Sequence, residues 1–187
     1  MSNKKVRILG IDPGSRKSGY GLVDYDGKSF YYLNSQTAKF DTKKEFLLRV
    51  SEIYNKTLNI IESYKPDVIA VESLIYVKSP TALIKLAQTR GIILSALIES
   101  GYEGKIFEYS PNFIKAQTMG HGHGNKLAGQ EFLKRFLGIS KFSTDDESDA
   151  LLIAICHGFN QNRSINKSKK SAGGLAASLS HLIGKEL

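Results

Sequence analysis

Two short apolar runs, each closed by an acid, constrain this chain most: Val6–Asp12 (VRILGID) and Asp67–Glu72 (DVIAVE). Both read as buried strands. Side chains alternate along a strand, so Ile8, Gly10 and Asp12 share a face of the first, and Val68, Ala70 and Glu72 a face of the second. Between them, Lys43–Lys65 changes period: Phe46, Leu47, Val50, Ile53, Tyr54, Leu58, Ile61 and Tyr64 recur at helical spacing until Pro66 stops them. A strand–helix–strand connection of this length favours a parallel crossover. Each acid then lies at the carboxyl end of a strand, where α/β proteins gather their sites. The small residue two positions before it leaves an open shelf for an ion or a phosphate.

The remaining pattern completes an α/β fold with a mixed five-stranded sheet flanked by helices. Ser18–Asp26 and Ser29–Thr37 are strand-like and follow the first strand through short links, which suggests an antiparallel meander. Thr81–Glu99 is a helix, apolar over much of its circumference, in which Gly91 should mark a close approach. Lys105–Tyr109 is a fifth strand. Pro111–Met119 and Asn125–Leu137 are helices on either side of the loop GHGHG at 120–124, and Thr144–Phe159 is the last helix. Residues 1–160 are expected to form one domain. Residues 161–187 have another texture, rich in Asn, Ser, Lys and Gly, and read as a basic, flexible tail with a short apolar face at Leu175, Leu179, Leu182 and Ile183.

Composition narrows the function classes. The single Cys excludes an intrachain disulfide and a four-cysteine zinc site. No apolar run is expected to span a bilayer, and the N-terminus carries no signal-peptide core, so the expectation is a soluble cytoplasmic protein with no membrane partner. The formal net charge of +8 puts polyanions first among partners, although a solvated surface explains such an excess equally simply.

Two further acids, Asp146 and Asp149, are three apart at the start of the last helix and so lie on one face, followed on that stripe by Ala150, Ile153 and His157. Each of the four acids has a plain structural use. Asp12 suits the turn of Asp-Pro-Gly, Glu72 suits a paired strand end, and Thr144 with Glu147 spells a capping box in a helical turn where acids favour the dipole. Their conjunction points elsewhere. Carboxylates that converge repel one another unless a cation neutralises them, and all-oxygen ligation selects Mg2+ or Mn2+. Paired ions stabilise both the attacking and the leaving oxygen of a phosphodiester.

The segment ILGIDPGSRKSGYG (8–21), with VES at 71–73, LAQTRG at 86–91 and DDESDAL at 145–151, resembles the RuvC family of Holliday junction resolvases from about Val6 to His157. The resemblance implies a ribonuclease H-like fold and a magnesium-dependent endonuclease. It would hold two Mg2+ per site, with Mn2+ a plausible substitute, on Asp12, Glu72, Asp146 and Asp149. It also implies paired symmetric nicks in four-way junction DNA during recombination and repair, basic residues near the scissile phosphate at Lys115 and Lys126, and a homodimer with the helix 81–99 on its two-fold axis. The implied partner is the RuvA–RuvB branch-migration complex, and the implied setting is the bacterial nucleoid. Where the family often carries an aromatic wedge, this chain has Ile75 followed by Tyr76: either Tyr76 stacks on a base, or Ile75 wedges, or both merely anchor a loop. Ser15, Arg16 and Lys17 are candidates for contact with the DNA backbone. His121 and His123 are read as loop residues that touch DNA or do nothing, since zinc would need further ligands. Cys156 reads as core. An alternative reading, a nucleotide-binding phosphotransfer protein of the actin and sugar-kinase type, rests on the likeness of GIDPGS to a phosphate-binding turn.

Overall fold

The computed structural model describes residues 4–74, 79–120 and 126–161. Its five strands are β1 (Val6–Asp12), β2 (Lys17–Tyr25), β3 (Phe30–Lys39), β4 (Val68–Glu72) and β5 (Ile106–Tyr109). They form one sheet in the order β3-β2-β1-β4-β5. β1, β2 and β3 are an antiparallel meander, and β4 and β5 run parallel to β1. The mixed sheet is thus the one expected, with its parallel half made by crossovers.

Among the described residues five helices cover it: α1 (Val50–Tyr64), α2 (Pro80–Glu99), α3 (Pro111–Met119), α4 (Lys126–Leu137) and α5 over residues 145–161. Strand alternation sorts the core into two layers. Leu9, Ile11, Ile69 and Val71 point to one side and pack with Ile53, Ile60 and Ile61 of α1 and Ile93 and Leu97 of α2. Ile8, Val68 and Ala70 point to the other side and pack with Ile114 of α3, Leu133 of α4 and Leu151, Ala154 and Ile155 of α5. Cys156 is fully buried there, as expected.

Local chemistry explains most boundaries. Ser79 and Ser110 cap α2 and α3 by accepting from the amides of Ala82 and Phe113, each with Pro at the first helical position. Lys65 ends α1 in the left-handed region (φ 46°) directly before Pro66, which disfavours a right-handed residue ahead of it. Glu147 and Thr144 behave as a capping pair: Glu147 N–H donates to Thr144 Oγ1, and the Glu147 carboxylate accepts from Ser143 N–H.

Three expectations need correction. The helix read from Lys43 begins only at Val50, after a 3-10 turn at Leu47–Arg49. Asp41 holds the preceding segment in a turn by accepting from Lys43 N–H at 3.0 Å. Gly91 makes no close approach within the chain, because it lies on the exposed side of α2 and a Cβ there would meet nothing within 4 Å. By length and composition α2 is apolar enough to cross a membrane. In the fold it buries Thr89, Ile93, Ala96 and Leu97, while Arg90 at its middle pairs with Glu108 of β5.

His157 lies on α5 and is 1% exposed. Its Nδ1 shares a 2.8 Å hydrogen bond with the Tyr109 hydroxyl, and its Nε2 pairs with the Gln161 amide at 2.8 Å. Burial pushes its pKa down from 6.5 to about 4. The folded protein therefore keeps a neutral imidazole where the unfolded chain takes a proton. Stability is full above the unfolded pKa of 6.5 and falls as the pH drops from 6.5 toward 4. Urea unfolding at pH 7 and pH 4.5 should differ by up to roughly 3 kcal/mol from this group. His157→Asn should remove that share of the slope.

Candidate metal and phosphate site

The site begins with backbone, not side chains. Gly10 of β1 faces Gly21 of β2, and Asp12 faces Gly19. These glycines clear the sheet surface for α5. A Cβ on Gly10 would stand 2.0 Å from the Ala150 carbonyl oxygen, one on Gly19 2.0 Å from the Asp146 carbonyl oxygen, and one on Gly21 2.6 Å from Leu151 N. No side chain fits in such a space. The helix therefore lies directly on β1 and β2, with its first turn at the carboxyl end of β1. That places Asp146 beside the strand position paired with Asp12, and Asp149 one turn further along.

Glu72 arrives from the other side. β1 and β4 are paired through Ile11 and Val71, so Asp12 and Glu72 follow at adjacent strand ends. Both lie on the α5 face by alternation, since Ile8, Val68 and Ala70 belong to that layer. All four acids are neither fully buried nor fully exposed. They share one rim of the sheet but do not close into a cage. Among the described residues no three Asp, Glu, His or Cys side chains are grouped so as to hold a metal ion as they stand. Four like charges do not draw together on their own, and Asp146 is already engaged: Lys17 Nζ donates to its Oδ2. The hydrogen bond to Asp146 holds the Lys17 ammonium above its ordinary pKa, with help from the charges of Asp145 and Asp12.

The turn after Asp12 is tied down from three sides. Ser18 Oγ accepts from Gly14 N–H at 3.1 Å, the Arg16 carbonyl accepts from Phe40 N–H at 2.9 Å, and Arg49 Nη1 donates to the Ser15 carbonyl at 2.8 Å. Arg49 was missed in the sequence. It is 6% exposed, and its Nε is buried without a hydrogen-bond partner among the described residues. The readable signal was a cation between Phe46 and Ile53 on the apolar stripe of a helix-like segment.

Of the other candidates, Arg16 is exposed at this turn, and Lys115 is half-buried on α3. Lys126 opens α4, but its side chain lies outside the described residues, as do Ile75, Tyr76, His121, His123 and the segment 162–187. His157 packs under Tyr109 and Phe107 and spends its ring nitrogens on Tyr109 and Gln161.

A half-buried, all-oxygen donor set at strand ends, beside a backbone cleared of side chains and already holding one cation, fits a hard divalent ion such as Mg2+ or Mn2+.

Comparison with known proteins agrees with the geometry. Residues 8–157 match the family described as crossover junction endodeoxyribonuclease RuvC. A protein of that name from Rhizobium leguminosarum bv. trifolii is 36% identical over 169 residues, covering 90% of this chain and 98% of that relative. One from Agrobacterium fabrum is 37% identical over 158 residues, covering 84% and 92%. The structure of Thermus thermophilus RuvC in complex with a Holliday junction substrate superposes with a TM-score of 0.77 at 26% identity, covering 85% of this chain and 96% of that one.

Gly19→Ala tests the backbone contact. The methyl must displace the first turn of α5, and we expect a loss of roughly 3 kcal/mol in urea unfolding. Gly91→Ala, which meets open space in the middle of a helix, is the control and should stabilise by about 0.5–1 kcal/mol.

Proposed function

The chain belongs to the RuvC family of crossover junction endodeoxyribonucleases, and from that premise we propose that it resolves Holliday junctions by metal-dependent hydrolysis of phosphodiester bonds at the rim formed by β1, β4 and α5. The observation that carries the reading is the seating of α5 on Gly10, Gly19 and Gly21, which brings acids distant in sequence to one end of the sheet.

In this reading Asp12, Glu72, Asp146 and Asp149 hold two Mg2+. Bound there, the ions supply an activated water and a charge to steady the departing 3′-oxygen. The protein's own part is placement. Asp12 and Glu72 are fixed by strand pairing, and Asp146 and Asp149 by the helix seat, so the backbone is in place and the carboxylates would close on an ion by side-chain rotation. Lys115 and Lys126 offset the negative charge that builds on the phosphate. Arg16 and the turn held by Arg49 line the approach of the DNA backbone. Ile75 and Tyr76 stand three and four residues after Glu72 and are assigned to the base step next to the cut.

Symmetric nicking of two opposed strands calls for two copies. We place the second copy against α2, where Ile84 and Ile98 are 58% and 53% exposed and Gly91 leaves room for a close neighbour. The RuvA–RuvB complex and the nucleoid are the assigned partner and setting. The actin and sugar-kinase reading is set aside, because the family matched over residues 8–157 is the endonuclease one.

The test uses a labelled four-way junction and Mg2+. Asp12→Asn should lower cleavage by about three orders of magnitude while junction binding persists. Cleavage by the substituted protein, or none by the parent, rejects the assignment. Lys126→Ala should slow cleavage about a hundredfold and weaken binding only about threefold. Equal losses in rate and affinity would contradict a role in the transition state.

A further inference from the structure

The ion pair between Lys17 and Asp146 has no part in the chemistry above. Lys17 opens β2, and its side chain is 45% exposed against 18% for Asp146. It is not a loose surface lysine. The backbone just before it is fixed by the bonds of Gly14, Ser15 and Arg16 to Ser18, Arg49 and Phe40. The backbone just after it runs under the first turn of α5 at Gly19. The ammonium is thus anchored at a carboxylate assigned to the metal, within the field of Asp12 and Asp145 as well. A divalent cation that bonds Asp146 must meet a positive charge already in place.

We propose that Lys17 is a built-in counter-ion of the acidic rim: it holds Asp146 in the metal-free protein and is displaced when a divalent cation takes that carboxylate. This rests on the reading of the four acids as metal ligands. The long flexible stem lets the ammonium swing away without backbone movement. Two consequences follow from Coulomb's law. The metal-free rim carries less self-repulsion than four bare carboxylates would. The same charge opposes the incoming ion, so Lys17 sets the concentration of divalent cation at which the site loads.

The experiment is calorimetric titration with Mn2+ alone, without DNA, on the full chain and on Lys17→Met, Lys17→Arg and Asp12→Asn. Lys17→Met keeps the stem and deletes the charge, and it should bind Mn2+ about tenfold tighter. Lys17→Arg keeps the charge and should stay within about twofold of the parent. Asp12→Asn should bind far more weakly. If Lys17→Met binds no tighter while Asp12→Asn loses affinity, the counter-ion role is wrong and the metal site stands. If Asp12→Asn binds like the parent, the metal-site reading fails and this inference with it. Lys17→Gln takes the place of the Met variant should that one aggregate.

Discussion

The contact on which the rest of the molecule depends is helix backbone against strand backbone. Side chains normally hold a helix off the backbone of the sheet it covers. Here Gly10, Gly19 and Gly21 remove those spacers, and α5 rests on the peptide planes of β1 and β2. The approach fixes the helix in height, and the small and branched residues behind it, from Ala150 to Ile155, are buried almost completely. A helix held this way cannot rotate without driving carbonyl oxygens into the sheet. The direction of Asp146 and Asp149 is therefore a property of the core, although the residues stand at its edge.

That rigidity answers an electrostatic problem. Carboxylates gathered at one rim repel, and a soft framework would relax by moving them apart. In this protein the acids are fixed in two pairs: strand pairing holds Asp12 and Glu72, and the glycine seat and the Thr144–Glu147 cap hold Asp146 and Asp149. Positive groups then surround the rim at graded depth. Arg49 is buried beneath the turn, Lys17 lies on the carboxylate itself, and Arg16 is exposed at the entrance. The burial of a guanidinium with an unsatisfied Nε is costly, and its one bond to the Ser15 carbonyl shows where the cost is applied: it stiffens the turn that follows Asp12.

Much of this was legible in the sequence, for identifiable reasons. Acid-terminated apolar runs with an amphipathic helix between them dictate parallel neighbours with both acids at one end, and β1 and β4 are such a pair. Short links dictate the meander. Caps at Ser79 and Ser110 and the Thr144–Glu147 pair are local chemistry, visible within four residues. What was not legible depends on partners remote in the chain. Lys17 and Asp146 are 129 positions apart, and no periodicity links them. Arg49 stands on the apolar stripe of a helix-like segment, and nothing local says that it reaches 34 positions back to Ser15. Gly91 suggested an internal contact because glycine in a helix is costly, but a sequence does not say which side of a helix faces out.

The same geometry also separates the fold's stability from the site's chemistry. The second polar network on α5, Tyr109 with His157 and Gln161, lies two turns beyond Asp149, and its groups satisfy one another. It orients the far end of the helix without any charge, because burial keeps the imidazole neutral. The acidic end has the opposite character: its carboxylates are half-buried, and Asp146 is held there in an ion pair with Lys17. A helix anchored by a neutral network at one end can carry a group of acids at the other without tilting away from the sheet. If the rim takes a divalent ion as proposed, the bound ion should stabilise the fold by an amount that rises with the logarithm of its concentration over its Kd.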